Sequence, residues 1–465
     1  MAPHKSTGRQ AQKNNDRNQA PAGRAFVETA CSASAIPAID CGGVLPPDPT
    51  RKQALASGNG KKTIILLVFV ASLAALVSSR LSGSLQGTDF PDFYCAARML
   101  LDGHGHQLYD AEVQRQYQAR YAGRVGTLYI HPPFEAVLYL AVAWLPLSRA
   151  YLLWSLLNLA FSAVGALRLA QGARLPWDWR LLLAASLTFP PVLLCFIQGQ
   201  DSLLLVLLLV LAFTALRRDR AFAAGCWLGL GLFKFQLALP LLLVLGLTQS
   251  RNARRELAKG FGLVAMALAG LSAAISGWSV FTIYLTFLLH LPAQPFAGIV
   301  PQAMANFRGL AYVLFRDQSS WAVAAVSILS AAALLKTLTV WKHARIESQS
   351  LPADATQNEF DLAFANSVLF ALLVSYHLNP HDLSLLLLPM VLLLRHGTGT
   401  PRLLTGSPRL LIFALSAALF LPPLHLLALR AHAYALVSIP LIALFAVSAS
   451  WLRTKTGEAG GALLR

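Results

Sequence analysis

Charge is scarce in this chain of 465 residues. Only 13% of them are Asp, Glu, Lys or Arg, about half the share usual in soluble domains. Hydrophobic residues make up 56% and the mean hydropathy is +0.55, which excludes an ordinary soluble protein. Cysteine is rare as well. Cys31, Cys41, Cys95, Cys195 and Cys226 form no Cys-x-x-Cys pair, so neither a disulfide framework nor a cysteine metal site is expected. The alternating segments of about ten residues that mark a membrane β-barrel are missing. So is an apolar core close to the N-terminus, which a secretory signal would need; the first begins near Ile64. No glycine-rich nucleotide-binding motif is found.

What the chain does have is a series of apolar runs approaching the roughly 20 helical residues that cross a bilayer core. The expected class is therefore all-α: a polytopic transmembrane helical protein. The net charge of +17 does not point to nucleic acid, because Lys and Arg gather at the ends of apolar runs, where they set topology. Residues 1–60 are polar and basic with no apolar period, and are expected to form a disordered cytoplasmic tail. The membrane domain is expected over 61–453, and 454–465 form a second cytoplasmic tail. Placing basic loops inside gives about twelve spans and a large outer loop over 80–133. In this scheme Ala221–Leu247 lies between two basic segments, RRDR (217–220) and SRNARRELAK (250–259). It must therefore enter the membrane and return, as two short halves meeting near Lys234.

The same scheme sends the polar clusters to one side, the outer one. The longest is the run TDFPDFYCAARMLLDGHGHQLYDAEVQRQYQARYAGRVGTLYIHPPF over 88–134. It carries Asp89, Asp92, Tyr94 and His131. Asp89 follows the first span and could remove a proton from a hydroxyl as it attacks; the bland alternative is a helix N-cap before CAARMLL. Lys234 and Gln236 lie in KFQ between two apolar halves, where a cation normally faces a partner or a cavity, or else snorkels at a helix end. Gln200 and Asp201 lie in the turn QGQDS (198–202), and Gly199 there can be a turn residue only. Asn306 and Arg308 lie in ANFRG, and Arg308 suits a phosphate or simply anchors an interface. His377, His381 and Asp382 surround Asn379-Pro380. The spacing of the two histidines resembles a metal site, but Pro380 interrupts the helix that would align them. Hydrogen bonds to a phosphate or sugar fit that loop better, and no metal or other cofactor is expected.

TDFPDFYCAARMLLDGHGHQLYD, YIHPPF, IQGQDSLLL and AGCWLGLGLFKFQLALP together resemble glycosyltransferase family 87 of the GT-C superfamily, over roughly residues 63–452. Its members include polyprenyl-phosphate-mannose-dependent mannosyltransferases of bacterial envelopes. The resemblance implies a GT-C fold and an acidic catalytic residue in the first outer loop, a position that matches Asp89. Many members carry an aromatic residue where His131 stands. The expectation is an inverting transfer of a hexose, mannose, from a polyprenyl phosphate to a lipid or glycan acceptor at the outer face of the cytoplasmic membrane. Asp89 would be the base, with Lys234, Arg308 and His381 on the donor phosphate. The alternative from another class is a transporter or lipid flippase, which would place ionisable groups in broken helices related by a repeat; no second copy of the Lys234 stretch is seen.

Overall fold

The computed structural model describes residues 49–82, 85, 87–290, 299–315, 320–348, 353–398 and 407–462. Residues 1–48, most of the expected tail, lie outside them. Among the described residues there are helices and no strands, as the apolar periodicity requires. Leu55–Arg465 forms one compact unit.

The helices follow in chain order. The first four are α1 (Pro49–Ser82), α2 (Phe90–Leu101), α3 (Ala111–Ala122) and α4 (Ala136–Ala143). Next come α5 (Leu147–Gly172), α6 (Trp179–Ser186), α7 (Pro190–Gln198), α8 (Ser202–Leu216) and α9 (Ala221–Leu230). After these run α10 (Phe235–Thr248), α11 (Arg251–Ser276), α12 (Val280–His290), α13 (Phe307–Phe315) and α14 (Ser320–Ser348). The last are α15 (Ala353–Val374), α16 (Leu387–Thr398), α17 (Ser407–Phe420), α18 (Pro422–Arg430) and α19 (Ser438–Ala462).

By length and composition, five described helical stretches can cross a membrane, or up to seven if each of two bent pairs counts as one span. That is fewer than the twelve expected. Part of the difference lies in helices broken by proline, which count as spans only when each bent pair is taken together. Pro190-Pro191 cannot continue α6, and α6 and α7 meet at 70°. Pro422 does the same between α17 and α18, at 53°. Several other apolar helices are simply short: Pro133–Ala143, Ser202–Leu216, Val280–His290 and Tyr434–Ser450.

Ala221–Thr248 is apolar and long enough to cross if it were straight. The packing of α9 on α11 shows that it folds back. A Cβ at Gly225 would lie 2.1 Å from the Leu257 carbonyl, one at Gly229 2.9 Å from Val264, and one at Gly260 2.1 Å from the Phe222 carbonyl. Gly225 sits between Leu257 and Phe261, and Gly229, one turn on, between Phe261 and Val264, so the contacts advance in the same direction and α9 and α11 run parallel, at a distance only glycine permits. The ten residues of α9 climb about 15 Å. The chain can begin α11 beside the start of α9 only if α10 returns that distance. The turn is a 3-10 segment over Gly231–Lys234, and Lys234 itself, at φ −116° and ψ 59°, leaves the helical region. RRDR and the basic start of α11 thus share one end of the bundle. Buried ion pairs tie other helices there: Arg217 Nε lies 3.1 Å from Asp361 Oδ1, and Arg395 binds the other oxygen.

Candidate active site

At the opposite end, the polar clusters meet. The meeting begins with the residues that flank Gly199. This glycine ends α7 in the left-handed region, at φ +68°, and a Cβ on it would stand 2.6 Å from the Phe90 Cβ. Only glycine lets the turn sit this close to the start of α2. Its two neighbours then grip Asp89 from both sides. Gln198 Oε1 accepts from the Asp89 amide at 3.0 Å, and Gln200 Nε2 donates to Asp89 Oδ2 at 2.6 Å.

Asp89 occupies the N-cap position of α2, yet its side chain makes no capping hydrogen bond. It turns instead to Gln200 and to a polar cavity of about 70 Å³, lined also by Asp92, Phe93, Thr127, Tyr129, His131, Gln200, His377 and Asn379. A half-buried carboxylate with one oxygen anchored and a cavity before it has the geometry of a base. The capping alternative is not what holds it.

Behind Gln200 lies a buried charge cluster. Lys234 Nζ is 3.2 Å from Asp201 Oδ1 and 3.0 Å from Asp382 Oδ1, with all three side chains at most 3% exposed. Gln200 Oε1 is 3.4 Å from the same ammonium, so one glutamine amide joins Asp89 to Lys234. Asp382 also accepts from Ser202 Oγ at 2.8 Å and from the Asn379 amide at 2.9 Å. Lys234 does not line the cavity, and its charge is met by two carboxylates. Its ion pairs tie α8, the 380–386 turn and its own hairpin together.

The remaining expected residues divide in two. His377 lines the cavity, and burial pushes its imidazole down to about 4. His131 lines it too, pushed down to about 3 by burial and then by the Lys234 charge; both rings are neutral at physiological pH. Asp92 is buried and bonded to Gln118 Nε2 at 3.0 Å and to the Thr127 hydroxyl. It ties the 127–131 segment to α2. Burial, only partly offset by Thr127, lifts its carboxyl to about 8. Arg308 is half-buried on α13, its guanidinium 4.1 Å over the Tyr376 ring and bonded to the Tyr376 carbonyl, beside His377.

Four others are not at the cavity. His381 is buried beside Asp382 at 3.6 Å. Tyr94 donates to the Leu145 carbonyl at 2.8 Å, and Asn306 to the Ser375 carbonyl at 2.6 Å. Both brace the backbone. Gln236 is half-buried on α10, and no hydrogen bond joins it to the cluster. No group of three or more His, Cys, Asp or Glu able to hold a metal occurs among the described residues.

Glu135 is a residue of the site that sequence reasoning missed. It is fully buried, 2.9 Å from His131 Nδ1 and adjacent to Asp201. Its signal was the lone carboxylate in the apolar stretch FEAVLYLAVAWLP. Arg124, which donates to the Thr88 carbonyl at 2.7 Å and so holds the approach to Asp89, had no comparable signal among the surrounding charges.

The family model of glycosyltransferase family 87 matches residues 129–376, just over half of the chain. The chain belongs to glycosyltransferase family 87. No curated protein matches it, and no solved structure does. The match takes in His131, Gln200, Asp201, Lys234, Arg308 and Tyr376, the framework of the cavity. It starts after Asp89 and ends before His377, so the assignment of Asp89 rests on geometry.

Proposed function

We propose that this family member transfers a hexose, mannose, from a polyprenyl phosphate to a lipid or glycan acceptor, with inversion and at the outer face of the cytoplasmic membrane. The observation that carries the reading is the side chain of Asp89: at an N-cap position, uncapped, clamped by Gln200 and facing the cavity. Asp89 takes the proton of the acceptor hydroxyl as its oxygen attacks the anomeric carbon, opposite the departing phosphate. One displacement with one base inverts that carbon. Arg308, bonded to the Tyr376 carbonyl one residue before His377, is the cation assigned here to the phosphate.

A lipid-linked donor is supported by a second feature. An apolar groove of about 390 Å³ runs between α6, α16 and α17, lined by Trp177, Leu181, Met390, Leu394, Phe413 and Phe420 among others. Its lining reaches Leu387, on the helix that continues directly from the Asp382 turn. Such a groove suits a prenyl chain whose phosphate stands at the cavity. The outer location is supported by the basic loops, which gather at the end away from Asp89.

The test is transfer of labelled mannose by the purified chain from polyprenyl-phosphate mannose to lipid acceptors. Asp89→Asn keeps the size and most hydrogen bonds, so donor binding should persist while transfer falls about 10²–10⁴-fold. Full activity in Asp89→Asn would remove Asp89 from the chemistry.

A further inference from the structure

The apolar helix α5 carries a fully buried asparagine, Asn158, that neither the base nor the phosphate contacts account for. A buried amide is costly unless it is hydrogen-bonded. Asn158 Nδ2 donates to the Gln200 backbone carbonyl at 2.9 Å. The carbonyl can only accept, so the amide nitrogen has to face it. Two more buried donors lie on the same face of α5, three and seven residues from one end of the set to the other. Trp154 Nε1 reaches the Gln200 carbonyl at 3.4 Å, and the Tyr151 hydroxyl donates to the Phe196 carbonyl at 2.8 Å. All three grip the α7–α8 turn by its backbone.

The rings on this face also seat the start of α2. Tyr151 lies edge-on to Phe90, the residue after Asp89, with centroids 5.4 Å apart. Trp154 stacks on Tyr139 at 4.1 Å, and Tyr139 stacks on Phe93 at 4.6 Å. Phe93 lines the cavity, while Tyr151, Trp154 and Asn158 do not. One helix face therefore holds both sides of the bond from Gln200 Nε2 to Asp89 Oδ2: the turn through its carbonyls, and α2 through its aromatic rings.

We propose that Tyr151, Trp154 and Asn158 are positioning residues for the base: they register the α7–α8 turn against the start of α2, and so set the Gln200–Asp89 hydrogen bond. The inference rests on the reading of Asp89 as the base, and it does not depend on which sugar donor is used. A hydrogen-bonded carbonyl fixes the Gln200 backbone, from which its side chain reaches Asp89 on one side and Lys234 on the other. Without that anchor the turn is free to leave α2.

Deuterium exchange of the Asp89 amide, read by fragmentation mass spectrometry on the detergent-solubilised full chain, tests this without any substrate. In the wild type that amide is held by Gln198 Oε1 in the same turn. Asn158→Leu should make it exchange about five- to tenfold faster, the worth of one hydrogen bond. Tyr151→Phe keeps the ring against Phe90 and loses only the hydroxyl. It should act in the same direction, and it decides the matter if Asn158→Leu does not fold. In transfer assays kcat of either variant should fall about tenfold while KM for the donor stays within about twofold. In an Asp89→Asn background the same substitutions should cost nothing further, whereas a general loosening of the fold would lower the residual rate as well. Unchanged exchange at Asp89, or an equal loss of rate in both backgrounds, would overturn the role of α5. Full activity of Asp89→Asn would sink the base and this inference with it. Absence of transfer from polyprenyl-phosphate mannose by the wild type would sink the donor class alone, and the exchange measurement would still decide the role of α5.

Discussion

Two residues at the site carry tests that separate bracing from substrate contact. Lys234 is enclosed by Asp201 and Asp382. Lys234→Met should leave two buried carboxylates without their cation and cost about 3–5 kcal/mol of stability. Thermal unfolding in detergent should show a large loss. A normal melting point with only a weakened donor affinity would instead return Lys234 to the phosphate. Asp92 carries the second test. Its carboxyl, lifted to about 8 by burial, keeps its proton where the unfolded chain, titrating near about 4, has lost it. The folded state then binds more protons across that window, so stability should fall as pH rises from about 4 to about 8. Asp92→Asn should flatten that slope, while transfer stays near wild type. Loss of transfer comparable to that of Asp89→Asn would mean that the wrong carboxylate was chosen as base.

Among the elements, the α7–α8 turn does most to assemble the cavity. Gly199→Ala would set a Cβ against Phe90 and force alanine into a left-handed conformation at about 1–2 kcal/mol. The strain is relieved by moving the turn away from α2, which draws Gln200 off Asp89. Transfer should drop at least about tenfold, since a displacement of 1 Å in a positioning group can cost 10²-fold, with melting lowered by only a few degrees. Retained activity would show that the Gln198–Gly199–Gln200 grip on Asp89 is dispensable. The turn was legible in QGQDS as polar and glycine-containing. That both glutamines hold one aspartate was not, because Asp89 is more than a hundred residues away and only α2 packing under Gly199 brings it there.

At the scale of the molecule, the doubling back of α9 and α10 determines which loops share a side. Single cysteines at Asp219 and Arg254, in a chain freed of its native cysteines, should react with an impermeant thiol reagent from the same side of the membrane. A cysteine at Asp102, in the α2–α3 region near the site, should react from the other side. Labelling of Arg254 together with Asp102 would mean that Ala221–Thr248 crosses straight through. The hairpin was anticipated from the basic segments at both of its ends, a one-dimensional signal that needs no contact. The number of spans was not settled by it: the described helices give five to seven by length and composition, because several apolar runs form short helices or bent pairs.

The sequence by itself determined the helical membrane class, the family, and which polar stretches gather at one end, because hydropathy, basic loops and local motifs are properties of adjacent residues. It also marked Asp89 as a candidate base. Only the tertiary structure decided what each polar side chain faces. It turned Asp89 from capping to the cavity, enclosed Lys234 between carboxylates, and drew Glu135 out of an apolar stretch to stand behind His131. The reason is physical: a buried charge is tolerable only where its partners are, and those partners come from segments that lie far apart along the chain.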